Sequence, residues 1–240
     1  MAPRQSGAAW IVGAGPGLGR ALGLAFAAAG FPVALGARSD QPRTFAQEIV
    51  ARGGTALALA YDATDAAQVA AVAAEVRERL GPVGVLVYNV GNMVRGDVQD
   101  IDPAAFQAAL AAGPYGAFLH ARAVLPDMLE RGDGSLLFTG ATSALRAPAG
   151  APAFAAAKFG LRGLAMSLAR RVGPAGIHVA HVTVDGVIRT PRAAAYLGPG
   201  DAALEPEAIA ASYVALAAQP RSAWTFELDL RPAGDDIGEN

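Results

Sequence analysis

Few folds place a glycine-rich loop where this chain has one, directly between its first apolar run and its first helical segment. Residues 11–20 read Ile-Val-Gly-Ala-Gly-Pro-Gly-Leu-Gly-Arg, after a predicted strand over Ala8–Val12 and before a predicted helix over Leu18–Ala29. Glycines let a backbone turn sharply and come close to a pyrophosphate, while a helix start directs free N–H groups at the phosphates. Glycines also serve ordinary turns, but this strand–loop–helix position indicates a dinucleotide site.

Short apolar runs alternate with longer alanine-rich helical segments along the rest of the chain. This alternation is typical of a parallel, doubly wound sheet with helices on both faces. Predicted strands cover Ala8–Val12, Pro32–Ala37, Ala56–Tyr61, Val83–Tyr88, Ser135–Thr139, Ile177–Val184 and Ala223–Leu230. Predicted helices cover Leu18–Ala29, Thr44–Arg52, Asp65–Leu80, Pro103–Met128 (interrupted near Gly113 and Pro114), Pro152–Val172 and Pro206–Ala218.

The length of 240 residues suits one α/β domain. We therefore predict a single-domain Rossmann-like doubly wound parallel sheet of about seven strands over residues 1–230. Residues 231–240 are polar and contain glycine, so they are predicted to form a C-terminal tail.

Composition excludes several classes of partner. A net charge of −2 gives no basic footprint, so nucleic acid is not expected as a partner. The absence of cysteine excludes disulfides and thiolate metal sites, and it fits a cytoplasmic location. The longest apolar stretch, around residues 21–35, is rich in alanine and broken by glycine and proline, so no membrane span is expected. No signal peptide is expected before the first strand.

No metal site is expected either. The three histidines, His120, His178 and His181, have no cysteine and no nearby set of carboxylates with metal-ligand spacing. We interpret them as structural residues.

Lys158 is the only lysine, whereas the other Lys/Arg positions are all arginine. An ammonium fits a tight pocket and can change the pKa of a neighbouring group. Residues 154–158 read Phe-Ala-Ala-Ala-Lys. This run resembles the Tyr-x-x-x-Lys pair of the short-chain dehydrogenase/reductases, with Phe154 in place of the tyrosine. Gly13, Gly17 and Gly19 match the Gly-x-x-x-Gly-x-Gly spacing of that family.

The resemblance extends over nearly the whole chain and implies a nicotinamide dinucleotide site. Residues 62–65 resemble the family's Asp-x-x-Asp, so Asp62 would hold the adenine amino group, although Asp62 could instead cap the next helix. Residues 88–91 resemble Asn-Asn-Ala-Gly, and residues 185–190 resemble Pro-Gly-x-Ile-x-Thr. The implied cofactor-binding residues, with Arg38 discussed next, are Gly13, Gly15, Gly17, Leu18, Gly19, Arg38, Asp62, Ala63, Asn89, Gly91, Lys158, Ile188 and Thr190.

The end of the second strand favours NADP(H) over NAD(H). NAD-binding proteins usually carry an acid there to bind the ribose hydroxyl. Here Ala37 takes that place, and Arg38 and Ser39 follow. A guanidinium can bind a 2′-phosphate through two hydrogen bonds. The alternatives are a solvated Arg38 and a role for the nearby Asp40 in binding NAD(H).

The catalytic set is where the resemblance fails. The family uses Asn, Ser, Tyr and Lys, with tyrosine as the acid or base. An ungapped alignment puts Gly113, Ala141 and Phe154 on the first three positions, and only Lys158 is kept. The nearest substitutes for the serine are Thr142 and Ser143. Candidate proton donors are Tyr88, Tyr115, Thr142, Ser143, Asp185 and Tyr196, of which we rank Thr142 and Asp185 first. Thus Lys158, Phe154, Thr142 and Asp185 form the candidate catalytic group.

Three functions remain open from the sequence. The first is an NADP(H)-dependent oxidoreductase acting on a small carbonyl, alkene or imine with atypical proton delivery. The second is a cofactor-binding sensor or inactive homologue, and the third is a lyase or cyclase on the same fold. The resemblance also implies a substrate lid at about 189–204. It further implies a homodimer or homotetramer formed through the helices near Pro103–Met128 and Pro152–Val172 and through the last strand.

Overall fold

The computed structural model describes residues 6–195, 197–198 and 202–233. Within these residues one seven-stranded sheet has the order β3-β2-β1-β4-β5-β6-β7, and every neighbouring pair is parallel. The strands are β1 Ala8–Val12, β2 Val33–Ala37, β3 Ala56–Ala60, β4 Val83–Tyr88, β5 Gly134–Thr139, β6 Ile177–Val184 and β7 Glu227–Leu230. The predicted Rossmann-like α/β fold is confirmed.

Helices pack on both faces of this sheet. They are α1 Leu18–Ala28, α2 Pro42–Ala51, α3 Ala66–Leu80, α4 Pro103–Leu110, α5 Gly116–Arg131, α6 Pro152–Val172 and α7 Pro206–Ala217. Helices α3, α5 and α6 contribute side chains to the core on one face, and α1, α2 and α7 to the core on the other. Every residue of β1, β4, β5 and β6 is buried, as expected of strands covered on both sides. Among the described helices, none is long and apolar enough to span a membrane.

The break predicted near Gly113 is a turn of π-helix between α4 and α5. It covers Ala111–Tyr115, and Gly113 has non-helical angles of φ −86° and ψ −107°. Pro114 follows, and a proline without an N–H cannot continue the α-helical hydrogen bonds. A Cβ on Gly113 would lie 3.0 Å from the Cβ of Ala157, so α6 passes very close at this point.

The last strand starts four residues later than predicted, at Glu227 instead of Ala223. Before Glu227, side-chain contacts take the place of regular strand pairing with β6. The Thr225 N–H donates to Gln219 Oε1 at 2.8 Å, and Trp224 Nε1 donates to the Gln219 carbonyl at 3.2 Å. The Trp224 ring also stacks on His178, with 4.9 Å between ring centroids.

Candidate active site

A cleft of about 530 Å³ opens at the carboxyl ends of β1 to β4. It lies where the strand order reverses, between β1 and β4, which is where ligands bind in open α/β sheets. The predicted cofactor residues that line it are Gly13, Gly15, Arg38, Asp62, Ala63, Asn89 and Gly91.

The glycine loop is shaped by close backbone contacts. Gly13 has a φ of +89°, and a Cβ there would lie 2.6 Å from the Asn89 carbonyl oxygen. The Asn89 side chain in turn donates to the Gly13 carbonyl at 3.1 Å, which joins the loop to the end of β4. A Cβ on Gly17 would lie 2.4 Å from Cγ2 of Thr190. The loop therefore packs against β4 on one side and against Thr190 on the other.

Replacing Gly19 with alanine is expected to lower the free energy of unfolding by about 1–3 kcal/mol, the usual cost of overpacking. The new methyl group would lie 2.4 Å from the Gly13 carbonyl oxygen, a backbone atom that cannot rotate away. Gly15→Ala is the matched control, because nothing lies within 4 Å of a Cβ at that position. Urea unfolding of both variants measures the difference, and equal losses would contradict this account.

Asp62 and Asp65 have different roles: one lies at the cleft wall, and the other caps α3. Asp65 caps α3, since its side chain accepts hydrogen bonds from the N–H groups of Ala67 and Gln68. Asp62 lines the cleft and accepts from both the N–H and the hydroxyl of Thr64, each at 2.8 Å. Asp62 is therefore not the helix cap, and its carboxylate is held at the cleft wall.

Arg38 and Asp40 also differ in position. Arg38 and Ser39 line the cleft at the end of β2. Asp40 instead pairs with Arg43, with 3.3 Å between Oδ1 and Nε, and both side chains are exposed.

Lys158 is buried beside the cleft, with 5% of its surface exposed. Its Nζ donates to the Thr139 carbonyl at 2.8 Å, and burial lowers its pKa to about 8. A Cβ on Gly91, a cleft residue, would lie 3.5 Å from Nζ. The Phe154 ring centroid is 5.6 Å from Nζ, so the ammonium lies beside an aromatic ring that has no proton to give.

The structure brings together Thr142 and Asp185, the two proton-transfer candidates ranked first. Thr142 begins a 3₁₀ turn after β5, and Asp185 directly follows β6. The Thr142 hydroxyl donates to Oδ1 of Asp185. Arg146 Nη2 and Arg231 Nη2 each lie 2.9 Å from Oδ2 of the same carboxylate. Asp185 is only 5% exposed, whereas the side chain of Arg146 is partly exposed.

Sequence reasoning missed both arginines. Arg231 is the first residue of the predicted tail, yet it pairs with Asp185 and with Asp229, the latter at 2.5 Å. Pro232 also packs close to Gly186, because a Cβ built on Gly186 would lie 3.1 Å from Cδ of Pro232. One signal was available: a carboxylate in place of the family's proline at a strand end needs a partner if it is buried.

The other candidate proton donors lie elsewhere or are bonded. Tyr88 is fully buried and donates to the Ala112 carbonyl at 2.8 Å, and burial raises its pKa far above the usual value. Ser143 is buried, whereas Tyr115 is 47% exposed in the π-helical turn. Tyr196 lies outside the described residues, as does part of the predicted lid at 189–204.

Three further cofactor candidates are Thr190, Leu18 and Ile188. Thr190 contacts Gly17, and its hydroxyl accepts from the Ala193 N–H at 3.1 Å. Leu18 starts α1 with its side chain in the core, so only its backbone can face a ligand. Ile188 pairs with Leu204 in an isolated parallel bridge. Within the described part of the chain, no three His, Asp or Glu side chains are grouped to hold a metal ion.

Comparison with known proteins agrees with this geometry. The family described as short chain dehydrogenase matches residues 7–197. Oxidoreductase UcpA of Salmonella typhimurium is 32% identical over 186 residues, which cover 77% of this chain and 70% of that protein. The trans-4-hydroxycyclohexanecarboxylate dehydrogenase of Sinomonas cyclohexanicum is 33% identical over 193 residues, covering 78% and 74% of the two chains.

Solved structures show the same similarity over a larger share of the chain. A short-chain dehydrogenase from Rhodopseudomonas palustris superposes with a TM-score of 0.83 at 35% identity, covering 96% of this chain and all of that one. A metagenomic short-chain oxidoreductase in complex with NADP has a TM-score of 0.83 at 30% identity, covering 94% and 96%. The chain therefore belongs to the short chain dehydrogenase family of oxidoreductases.

Proposed function

We propose that this protein is an NADP(H)-dependent oxidoreductase that transfers hydride to or from a small carbonyl, alkene or imine, with proton delivery that does not use a tyrosine. The observation that carries the proposal is one cleft that combines the glycine loop, Arg38 and Asn89, with Lys158 directly behind Gly91. The structural relative with bound NADP supports the choice of cofactor by analogy.

The residues of the cleft fit a dinucleotide. Nothing lies within 4 Å of a Cβ built on Gly15, so a phosphate can approach the backbone there. Helix α1 begins three residues later, and its first N–H groups can bind the same phosphate. Arg38 offers a guanidinium for a 2′-phosphate. When bound, the nicotinamide supplies the hydride chemistry, while the protein binds and orients it. Lys158, with a pKa of about 8, is a cation at neutral pH and can donate to the ribose hydroxyls.

Phe154 takes the place of the family's tyrosine in this proposal. Its ring centroid lies 5.6 Å from Nζ of Lys158, and the ring cannot act as an acid or a base. The Gly113 position, where the family has asparagine, is closed by Ala157 at 3.0 Å, so a larger side chain there would require α6 to move. Proton transfer is therefore assigned to the Thr142–Asp185 pair or to water.

The missing tyrosine also favours one other function. A protein that binds NADP(H) and does not turn over, as a sensor or an inactive partner, would keep the cofactor cleft and lose the acid. It would bind NADPH tightly and oxidise none of it across panels of carbonyl, alkene and imine substrates. Turnover of any one of these substrates would decide in favour of the oxidoreductase.

A titration of the purified protein with NADPH and NADH tests the cofactor assignment. NADPH is expected to bind at least about tenfold more tightly, and Arg38→Ala is expected to weaken NADPH binding by about 10- to 100-fold without affecting NADH. These ratios follow from about 1.5–3 kcal/mol for hydrogen bonds to a charged phosphate.

Arg43→Ala is the matched control for this titration. Arg43 carries the same guanidinium but pairs with Asp40 at the surface, outside the cleft lining. A preference of the wild-type protein for NADH would disprove the role of Arg38. No binding of either dinucleotide would disprove the proposed function.

We also propose a homodimer or homotetramer in the cytoplasm. An apolar groove on the outer surface of α5 and α6 supports self-association, since large apolar side chains are exposed there, with Phe118 45% and Leu129 44% exposed. The groove is lined by Phe118, Ala121, Arg122, Leu125, Pro126, Leu129 and Leu168. Light scattering of the purified protein measures the state directly.

A further inference from the structure

Lys158 is a buried cation, and the structure gives it no counter-ion among the described residues. None of the ion pairs in that part of the chain includes Lys158. Burial lowers its pKa to about 8, because the ammonium loses contact with water. Phe154, in the place of the family's tyrosine, has no ionisable group that would hold the ammonium charged. About a tenth of the amine is therefore neutral at pH 7.

Two other ionisable side chains act on the same region. His181 on β6 interacts electrostatically with Lys158, and burial lowers the pKa of His181 to about 4, so its ring is neutral at pH 7. Arg162, four residues further along α6, is positive and pairs with Glu227. Neither side chain supplies a negative charge to Lys158. Release of the Nζ proton therefore leaves no buried anion without a partner.

The hydrogen bond to Thr139 fixes the position of the amine without using its lone pair. Nζ donates to the Thr139 carbonyl at 2.8 Å. A neutral amine makes this bond with one of its two hydrogens, and its lone pair stays free to attack a carbonyl carbon. A protonated imine on the same nitrogen has one N–H, which can keep the bond to Thr139.

Gly91 is the cleft residue that lies next to this amine. A Cβ built on Gly91 would lie 3.5 Å from Nζ, 3.7 Å from Cε of Lys158 and 3.8 Å from Cε2 of Phe154. Gly91 lines the dinucleotide cleft, which measures about 530 Å³. Because glycine has no side chain, the approach to Nζ from the cleft is free of any side chain at this position.

We propose that Lys158 is a nucleophile that forms an imine with small aldehydes when the cleft holds no dinucleotide. A lysine in an apolar site without a counter-ion is typical of amines that form Schiff bases with carbonyl compounds. Aldehydes are the favoured class because their carbonyl carbon carries a hydrogen, which leaves room at a nearly buried amine. The inference goes beyond the proposed function, and it names the nucleophile that a lyase on this fold would use.

The reaction is a condensation in which nothing is oxidised or reduced. The lone pair of Nζ attacks the carbonyl carbon, and a C–N double bond replaces the C–O double bond. The oxygen leaves as water together with the two hydrogens of the neutral amine. The proton that the ammonium released first returns to the imine nitrogen.

Propanal with sodium cyanoborohydride tests the proposal at pH 7 in the absence of any dinucleotide. Cyanoborohydride transfers hydride to the imine carbon and converts the reversible bond into a stable propylamine. Digestion after arginine gives the peptide that follows Arg146 and ends at Arg162, which contains Lys158. Mass spectrometry follows the labelled fraction of this peptide with time. The α-amine of the chain lies in a different peptide and does not contribute.

The variant Arg170→Lys places an ordinary amine in the same molecule as a matched control. Arg170 is exposed near the end of α6, and its peptide differs from the one that contains Lys158. At pH 7 less than about 0.1% of an ordinary lysine is neutral, so Lys158 is expected to be labelled about tenfold faster or more, although it is less exposed. In urea, where both amines are ordinary, the two rates are expected to become equal.

Three results would overturn the proposal. The first is labelling of Lys158 in the folded protein that is no faster than labelling of the introduced amine. The second is labelling of Lys158 only after urea is added. The third is a faster rate that persists in urea, which would show that the folded environment is not its cause. The reaction contains no dinucleotide, so none of these results decides the proposed cofactor, which the NADPH titration tests separately.

Discussion

Replacing Lys158 with methionine is expected to abolish NADPH binding and, at the same time, to raise the free energy of unfolding at pH 7. Burial lowers the pKa of Lys158 from its usual 10.5 to about 8. At any pH where the lysine is charged in both the folded and the unfolded chain, this shift destabilises the folded protein by about 3 kcal/mol. Methionine fills a similar volume without a charge. The lost hydrogen bond to the Thr139 carbonyl cancels about 1 kcal/mol of this gain. The free energy of unfolding is therefore expected to rise by about 2 kcal/mol.

The sign of the pH dependence gives a second readout of the same variant. Because the folded-state pKa is lowered, the unfolded chain binds the proton first as the pH falls. The wild type is therefore expected to lose stability from about pH 10.5 to about pH 8 and to lose no more from this group below that. The methionine variant is expected to lack this decline.

Urea unfolding at pH 7 and pH 10, with NADPH titration of the same samples, measures these effects. Arg162→Met is the control, since it removes a cation one turn further along α6 that pairs with Glu227 near the surface. That change is expected to alter stability by less than about 1 kcal/mol. A less stable Lys158→Met variant that still binds NADPH would contradict both the cost of burial and the role of the lysine.

Acid is expected to destabilise this protein between pH 6.5 and about pH 4, before most carboxylates are protonated. Burial lowers the pKa of both His120 and His181 to about 4. The unfolded chain takes up these protons near pH 6.5 and the folded chain does not, so stability falls as the pH falls through this range. Each histidine contributes a loss of about 3 kcal/mol by pH 4.

Burial is the main cause of the lowered pKa at both histidines, and their other contacts differ. The ring of His120 donates from Nδ1 to the Gly116 carbonyl at 2.7 Å, so Nε2 accepts from the Tyr61 hydroxyl at 2.8 Å. His181 lies against Gly140 with its ring fully buried, and the charges of Lys158 and Arg162 oppose its protonation while Glu227 favours it.

The variant His181→Leu isolates one of these contributions. Its loss of unfolding free energy between pH 7 and pH 4 is expected to be about 3 kcal/mol smaller than that of the wild type. Glu75→Gln, which removes an exposed pair with Arg79, is the control and is expected to change the loss by less than about 0.5 kcal/mol. An unchanged pH dependence in His181→Leu would show that this histidine is protonated in the folded protein.

Local sequence patterns were sufficient to predict most of the fold. The apolar run Val83–Tyr88 and the segments Ile177–Val184 and Pro152–Val172 have the predicted bounds, because burial on both faces and glycine or proline stop signals act within a few residues. The last strand was predicted too long. Its start depends on Gln219 and Trp224, and hydrogen bonds between side chains of a loop have no periodic signal.

The candidate site was predictable where a motif is local and missed where contacts join distant segments. The glycine loop and the end of β2 lie at the cleft as expected, because the βαβ order alone brings strand ends together. The ion cluster joins residues 142, 146, 185 and 231, which meet only after β5, β6 and β7 have paired. Nothing in the sequence distinguishes Arg146 and Arg231 from the other arginines.

The burial of Lys158 also determines how the protein meets amine-directed chemistry. Every solvent-facing cationic side chain is a guanidinium, because the chain has no second lysine. Its one ε-amine lies beneath the dinucleotide cleft, behind Gly91. Acylating reagents, aldehydes and lysine-directed crosslinkers therefore have one side-chain target, and a bound dinucleotide would cover it. Lysine-directed reagents therefore find no ε-amine on the outer surface of the protein.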